Sequence, residues 1–177
     1  IKTKEMLNLP TPAVVSGGPQ TCVVKPSPEL KAYVEKLVDR ADAIKNRKVR
    51  PDEDNMLAVT NDGRKAALDL RLIHPAHGFD PAGKLAACAT KVREIWERTA
   101  SFRGTQVIFC DLGTPSSTRF SVYDDLKQQL VRSGIPGTEI AFIHDARSPE
   151  SRAKLFEAVR AGHIRILIGS TEKMGTG

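Results

Sequence analysis

The chain has 177 residues, of which 40% are hydrophobic, enough for one sizeable core with a small appendage. Its formal net charge of +6 favours an anionic partner such as nucleic acid. We find no signal peptide and no long apolar run, so we expect neither secretion nor contact with a membrane. The chain starts with Ile rather than Met and stops inside a motif, so we expect it to be a piece of a longer polypeptide.

The numbers of aromatic residues and cysteines indicate how a nucleic acid would be bound and in which compartment the protein functions. Six Phe, two Tyr and one Trp are too few for a base-stacking platform, so a nucleic acid would be held by its backbone. The three cysteines, Cys22, Cys88 and Cys110, are an odd number without CxxC spacing. This pattern favours reduced thiols and a cytoplasmic protein.

The first 80 residues combine extended and helical patterns. Residues 13–15 and 21–24 are typical of two extended segments joined by a Ser-Gly-Gly-Pro turn. A helix follows, with Ser27 as N-cap and Pro28 at its first position. Its apolar stripe has helical spacing and predicts a buried face, made of Leu30, Tyr33, Val34, Leu37, Val38, Ala41 and Ile44.

The next segment predicts a loop, a turn and a second helix. Residues 46–54 are polar and are expected to form a loop, and residues 61–63, Asn-Asp-Gly, predict a turn. Residues 64–73 are then expected to be helical, with Ala67, Leu68 and Leu70 facing inward.

A possible metal site is rejected. His74, His77 and Asp80 are suitable ligand types, but two prolines interrupt the segment and no motif places a fourth ligand. We therefore expect a loop with incidental histidines and no metal.

From residue 82 onward, strands and helices alternate. Residues 106–110 predict a continuous, buried strand, and residues 138–143 and 165–168 predict two more. Helical patterns fill the intervals at 82–99 and 121–133 and from Ser148 to Gly162, the second with Val122, Leu126, Leu130 and Val131 inward. Short strand–helix connections of this kind predict a parallel sheet.

The chemistry-bearing residues follow the strands. The third strand runs into Gly169, Ser170, Thr171, Lys173, Gly175, Thr176 and Gly177, small and hydroxyl residues with one lysine. Ligands of open α/β sheets bind beyond the carboxyl ends of strands, and such residues suit a phosphate. Asp111 ends the first strand and is expected to be either a binding residue or a cap. No Walker phosphate loop, GxSxG or HExxH motif is present.

The order of these elements resembles the second RecA-like lobe of superfamily-two helicases, most closely the Swi/Snf-like translocases. The strand at 107–110 is similar to the family's fourth motif, and the fifth motif is matched by Ser170, Thr171, Gly175 and Gly177. Between them lie the matching strand at 141–145 and a helix with matching positions Arg152, Phe156 and Gly162. Residues 172–174, Glu-Lys-Met, depart from the basic and small residues usual in the family.

The front half resembles the lobe-crossing segment of the same family. The matching residues are Leu9, Pro10, the 23–25 strand, Ser27, Leu30 and Tyr33. Residues 54–57 and 61–66 are similar to a variant in very large mobile-element proteins, which join a Swi/Snf-like helicase to an adenine-type DNA methylase.

The resemblance implies an α/β fold with a three-layer parallel sheet flanked by helices and an N-terminal strand and helical segment. Residues 1–83 would be the lobe-crossing segment packed on the lobe, and 84–177 the RecA-like lobe, truncated after its fifth motif. It implies an ATP-dependent DNA helicase or translocase with no catalytic residue in this chain. ATP and Mg would be bound mainly by the first lobe, which lies outside it.

The same resemblance assigns the site residues and partners. Ser170, Thr171, Lys173 and Thr176 would contact DNA, and Gly175 and Gly177 would face the nucleotide and the other lobe. The partners would be DNA, the first lobe and, where one is fused to the helicase, a methylase domain. Two alternatives remain: a receiver-like or transferase-like domain, and a non-catalytic α/β module that binds nucleic acid, a phosphate or a partner protein.

Overall fold

The structure, a computed structural model, describes residues 18–174. Its centre is a three-stranded parallel sheet of β1 (Gln106–Phe109), β2 (Ile140–Phe142) and β3 (Ile166–Gly169), in the order β1-β3-β2. The parallel α/β arrangement expected from the sequence is confirmed. The helices are α1 (Pro28–Lys45), α2 (Met56–Leu68), α3 (Lys84–Arg98), α4 (Val122–Arg132), α5 (Pro149–Arg160) and the single turn α6 (Thr171–Met174). The helices α1 and α2 pack on each other.

Serine caps define where three of these helices begin. The first amides of a helix have no partner within it, and a serine Oγ at the N-cap accepts one of them. Ser27 accepts from Leu30 N at 3.2 Å and Ser121 from Asp124 N at 3.1 Å, while Ser148 forms a reciprocal capping box with Ser151. The start of α1 at Ser27 and Pro28 is as predicted.

The main core lies between the sheet and the pair α3 and α4. Ile166 and Ile168 of β3 are fully buried in it, as are several side chains of α4. Removing this apolar surface from water supplies the main stabilisation. The buried members from the helices are Leu85, Ala89, Val92, Val122, Tyr123, Leu126 and Leu130.

The prediction that the first strand is continuously buried is wrong. β1 lies at the edge of the sheet, and its exposure alternates, with Val107 48% and Phe109 55% exposed. On its other face Ile108 packs against the core. The apolar run did not distinguish an edge strand from a central one, and only β3 is buried at every position. Within the described part of the chain, no helix covers the exposed face of β1, so the predicted layer of helices on that side of the sheet is incomplete.

Two predictions for the N-terminal segment are also wrong. Residues 61–63 form no turn but lie inside α2, which begins at 56 because Asn55 caps it, accepting from Ala58 N at 3.0 Å. Gly63 lies within α2 and faces α1, where a Cβ added to it would be 3.6 Å from Leu37 Cδ1. Residues 21–24 are irregular rather than a strand, and the partner predicted at 13–15 lies outside the described residues.

Several side chains predicted to point inward are exposed. Val34 and Val38 on α1 and Val131 on α4 are 45–55% exposed. On α2 Ala67 is exposed, whereas its neighbour Ala66 is buried. Because α2 starts eight residues earlier than predicted, its buried face shifts by one position.

Arg71 joins the N-terminal segment to the α/β unit. Its guanidinium forms paired bonds with both Asp69 and Asp125 of α4, at 2.8–3.0 Å, and lies 4.2 Å from the centre of the Phe120 ring. The Arg71 side chain is only 11% exposed. Burial lowers the pKa of Arg71, but the bonds to Asp69 and Asp125 outweigh it and raise the pKa overall. Nearby, Leu68 and Leu72 pack against the main core.

We expect Arg71→Ala to lower the free energy of unfolding by about 3 kcal/mol, because it leaves two largely buried carboxylates without their cation. Arg50→Ala is the matched control, since Arg50 and Asp52 form an ion pair whose side chains are 74% and 64% exposed. Urea denaturation followed by circular dichroism measures both. Equal losses in the two variants would contradict the role given to Arg71.

Candidate nucleic-acid interface

The carboxyl ends of the three parallel strands meet at one edge of the sheet, which we call the carboxyl edge. It is formed by residues 110–111 after β1, the turn Ile143–Asp145 after β2 and residues 170–174 after β3. The turn Ile143–Asp145 contacts both β3 and α6. Three segments that are distant in sequence are thereby brought together where α/β proteins bind ligands.

Asp111 holds the beginning of α6. Its carboxylate accepts hydrogen bonds from Thr171 N at 2.7 Å and from Thr171 Oγ1 at 3.1 Å. Of the two roles that the sequence left open for Asp111, the structure shows the cap. Both of its oxygens are engaged, so Asp111 orients Thr171 and keeps its negative charge at an exposed position.

Close packing fixes the loop after β3. A Cβ on Gly169 would lie 2.5 Å from both Ile143 Cγ2 and Met174 Sδ, which is too close for any side chain. The carbonyl of Ser170 accepts from the amides of Lys173 and Met174 at 3.1 and 3.0 Å, closing the turn of α6. Only glycine permits this approach of α6 to the strand.

The predicted site residues do not all reach the surface. Ser170 is 6% exposed, so its hydroxyl lies inside, whereas Thr171 and Lys173 are exposed. The remaining three, Gly175, Thr176 and Gly177, lie outside the described residues. Thr171 and Lys173 are therefore the predicted residues that the structure places at the surface of the carboxyl edge.

The segment that follows each of the three strands contains an exposed cation. Arg119 follows β1, Arg147 follows β2 and Lys173 follows β3, and within residues 18–174 none of the three side chains makes a hydrogen bond or ion pair. The sequence analysis missed Arg119 and Arg147 because no motif marks them. Their position alone could have indicated them, because each lies in a loop that follows a predicted strand.

The buried Tyr123 and the half-buried His144 form an aromatic support beneath this edge. The Tyr123 hydroxyl donates to the carbonyl of Cys110, and its ring meets the His144 ring edge-on, with centroids 5.1 Å apart. Burial raises the pKa of Tyr123, so its hydroxyl remains a donor. The Nδ1 atom of His144 is buried and has no hydrogen-bond partner among the described residues.

The environment of His144 favours its neutral form. Burial lowers the pKa of His144 and the positive charge of Lys173 lowers it further, while Asp145 and Glu172 act in the opposite direction. An imidazolium would need an acceptor for Nδ1 that the surrounding residues do not supply. The packing of this edge in the folded protein therefore requires His144 to be neutral.

The opposite, amino edge of the sheet is closed by internal bonds. Arg165, 2% exposed, donates to the carbonyl of Trp96 at 2.6 Å and to Thr99 Oγ1 at 3.0 Å. Glu139 accepts from Trp96 Nε1 at 2.7 Å and from Arg103 at 3.0 Å. Burial would raise the pKa of Glu139, but these bonds and the nearby arginines lower it overall. This network anchors β3.

Within residues 18–174, no group of three or more His, Cys, Asp or Glu could hold a metal ion. At the rejected site, His74 Nδ1 accepts from Ala76 N at 3.2 Å and Asp80 from Ala82 N at 2.9 Å, so both side chains stabilise local turns. In the same range no helix combines the length and apolar character needed to cross a bilayer.

A scan against protein-family models and searches of curated proteins and of solved structures found no match to this chain. A functional assignment therefore depends on the order of the sequence motifs and on the geometry of the carboxyl edge.

Gly169→Ala is expected to lower the free energy of unfolding by about 1–3 kcal/mol, because the added methyl group must displace Ile143 or Met174. The control is Gly78→Ala, at a position where a Cβ would meet no atom within 4 Å. Urea midpoints of the two variants give the comparison. A Gly169→Ala protein as stable as Gly78→Ala would show that α6 does not pack as described.

His144 is expected to make the protein less stable in mild acid. Its pKa is lowered in the folded state, so the unfolded chain takes up this proton first as the pH falls below its usual value of about 6.5. The free energy of unfolding should thus decrease from about pH 7 to pH 5, and this part of the decrease should disappear in His144→Gln.

His163→Gln is the control for this titration, because His163 is exposed. Chemical denaturation at half-unit pH steps measures the slope for each protein. We expect His163→Gln to keep the slope of the parent chain. If His144→Gln kept it too, the neutral, packed state of His144 would be disproved.

Proposed function

We propose that this chain is part of the second motor lobe of an ATP-dependent, Swi/Snf-like DNA helicase or translocase. In this proposal the carboxyl edge contacts the DNA backbone and completes the ATP site of a first lobe. The main support is the order of the motif-bearing strands: the strands that resemble the fourth and fifth motifs are neighbours in a parallel sheet, and Thr171 and Lys173 are exposed where they end.

The chemistry of this edge suits phosphate groups. Lys173 offers an ammonium group, and Arg119 and Arg147 offer guanidinium groups on the neighbouring loops. Thr171 is oriented by Asp111, which accepts from both its amide and its hydroxyl. Contacts of this type bind a backbone without distinguishing its sequence, as a protein that moves along DNA requires.

The described residues do not form a complete ATP site. The chain has no phosphate loop, and residues 18–174 contain no group of three or more His, Cys, Asp or Glu that could hold a metal ion. Bound ATP would supply the free energy for closing the two lobes, and we expect ATP and Mg to be held mainly by the first lobe of a longer polypeptide. This chain would contribute the positioning of the loop after β3. A fused DNA methylase domain belongs to the same proposal.

We expect the 177-residue chain to bind a duplex weakly, with an affinity that falls as salt rises, and Lys173→Ala to reduce that affinity about threefold to tenfold at low salt. The variant should also lower the slope of log K against log salt by about one, because one phosphate contact is lost. Fluorescence anisotropy with a labelled duplex of mixed sequence, at several salt concentrations, measures both quantities.

Arg98→Ala is the matched control, since it removes one exposed positive charge from the last turn of α3, next to the amino edge. It should leave the slope unchanged. Equal effects of the two variants would mean that DNA binds to the general positive charge and not to the carboxyl edge.

An ATPase assay distinguishes the motor from a non-catalytic nucleic-acid-binding module. The chain alone should hydrolyse no ATP, and Lys173→Ala in the longer polypeptide should weaken the stimulation of its ATPase by DNA. Metal-dependent turnover by the chain alone would refute the two-lobe assignment. DNA binding that depends on Lys173, without any effect on ATPase, would favour the non-catalytic module.

A further inference from the structure

A cleft of about 510 Å³ lies between the start of α1, the end of α2 and the loop that leads into α3. Its walls are largely apolar and include Val24, Leu30, Leu70, Phe79 and Pro81. Sites for small organic ligands have volumes of roughly 300–1,000 Å³ and mostly apolar walls. The cleft is formed by the N-terminal segment and is separate from the carboxyl edge.

Arg71 holds in place the wall of the cleft that contains Asp69. Asp69 lines the cleft and is bonded through both oxygens to Arg71, whose guanidinium also lies 5.3 Å from the centre of the Phe79 ring. Arg71 is in turn bonded to Asp125 of α4. Because this wall is tied to a helix of the main core, the cleft exists before any ligand binds.

The carboxylates around the cleft are compensated by the protein itself. Asp69 is paired with Arg71, and Asp80 accepts from Ala82 N at 2.9 Å. Glu29 lies in the first turn of α1, where the helix dipole stabilises a negative charge. Asp69 is thus neutralised by an ion pair, and Asp80 and Glu29 are stabilised as carboxylates by a local hydrogen bond and by a helix dipole.

The lysines around the cleft have no such compensation. Lys25 and Lys84 both line it, and their side chains form no hydrogen bond or ion pair within residues 18–174. The first turn of α3, where Lys84 lies, contains no acidic residue. His77 adds a further polar side chain at the same cleft.

We propose that this cleft binds a small amphipathic organic anion, with the apolar body against Leu30 and Phe79 and the anionic group beside Lys25 and Lys84. The proposal is independent of the motor function, because it uses none of the residues of the carboxyl edge. A carboxylate and a phosphate monoester share the required chemistry.

The test uses 8-anilinonaphthalene-1-sulfonate, which combines an aromatic body with a sulfonate and fluoresces when bound. The 177-residue chain should bind it saturably with one dominant site. Ala67→Trp, which places an indole in the cleft from an exposed position of α2, should weaken that binding about tenfold or more. Lys84→Glu should weaken it about fivefold, and Lys154→Glu on the exposed side of α5 should change it less than twofold.

Competition then identifies the anionic group. Octanoate and octyl phosphate should displace the probe, and the one that does so at lower concentration identifies the preferred head group. Octanol, which has the same body without the charge, should be about tenfold weaker. Circular dichroism checks that each variant is folded. If Ala67→Trp does not fold, the binding measured with Lys84→Glu tests the proposal without it. Binding unchanged by the folded variants, or octanol as effective as the anions, would overturn the proposal.

Discussion

The parallel pairing of β3 with both of its neighbours determines where the chemistry of this protein can lie. Parallel strands have all their carboxyl ends on one side, so a central β3 brings the loops after β1 and β2 next to its own. Two features keep β3 in this position. Arg165 anchors its start to the carbonyl of Trp96, and Gly169 lets Met174 pack directly against its end. The position of Lys173 and Thr171 follows from those two contacts.

The two edges of the sheet use their charges in opposite ways. At the amino edge, the charged groups of Arg165, Arg103 and Glu139 all form hydrogen bonds or ion pairs within the protein. At the carboxyl edge, Asp111 bonds the neutral Thr171, and Lys173 is exposed without an ion pair within residues 18–174, beside the exposed carboxylates of Asp145 and Glu172. A cation without a protein partner gains most from an external anion, because it has no internal bond to give up. This asymmetry favours the carboxyl edge as the binding side.

The sequence predicted the strands and helices of residues 84–174 well because their signals are local. Ser121 and Ser148 mark helix starts, and the apolar run that forms β3 is short and buried. It could not predict that β1 is an edge strand, since the order of strands depends on contacts between distant residues. Nor could it place Ser170, whose burial results from the packing of α6, or decide between the two roles of Asp111, which bonds Thr171, 60 residues away.

Residues 18–83 were predicted less well, because contacts between distant residues decide their structure. The Asn-Asp-Gly at 61–63 favours a turn locally, yet α2 continues through it and packs on α1, where Asp62 pairs with Arg40 at 2.9 Å. Tertiary contacts thus override a local preference of about 1 kcal/mol for the glycine.

The junction between the N-terminal segment and the α/β unit is more than a linker. Arg71 bonds at once to Asp69 in its own segment and to Asp125 on α4, and its side chain is nearly buried. The same guanidinium lies against Phe79, which lines the cleft, so the cleft and α4 share one positively charged group. Asp125 lies on the helix whose Tyr123 supports the carboxyl edge through Cys110 and His144. A change at the cleft that moved Arg71 would act on α4, and α4 is in direct contact with the support of the candidate DNA-binding edge.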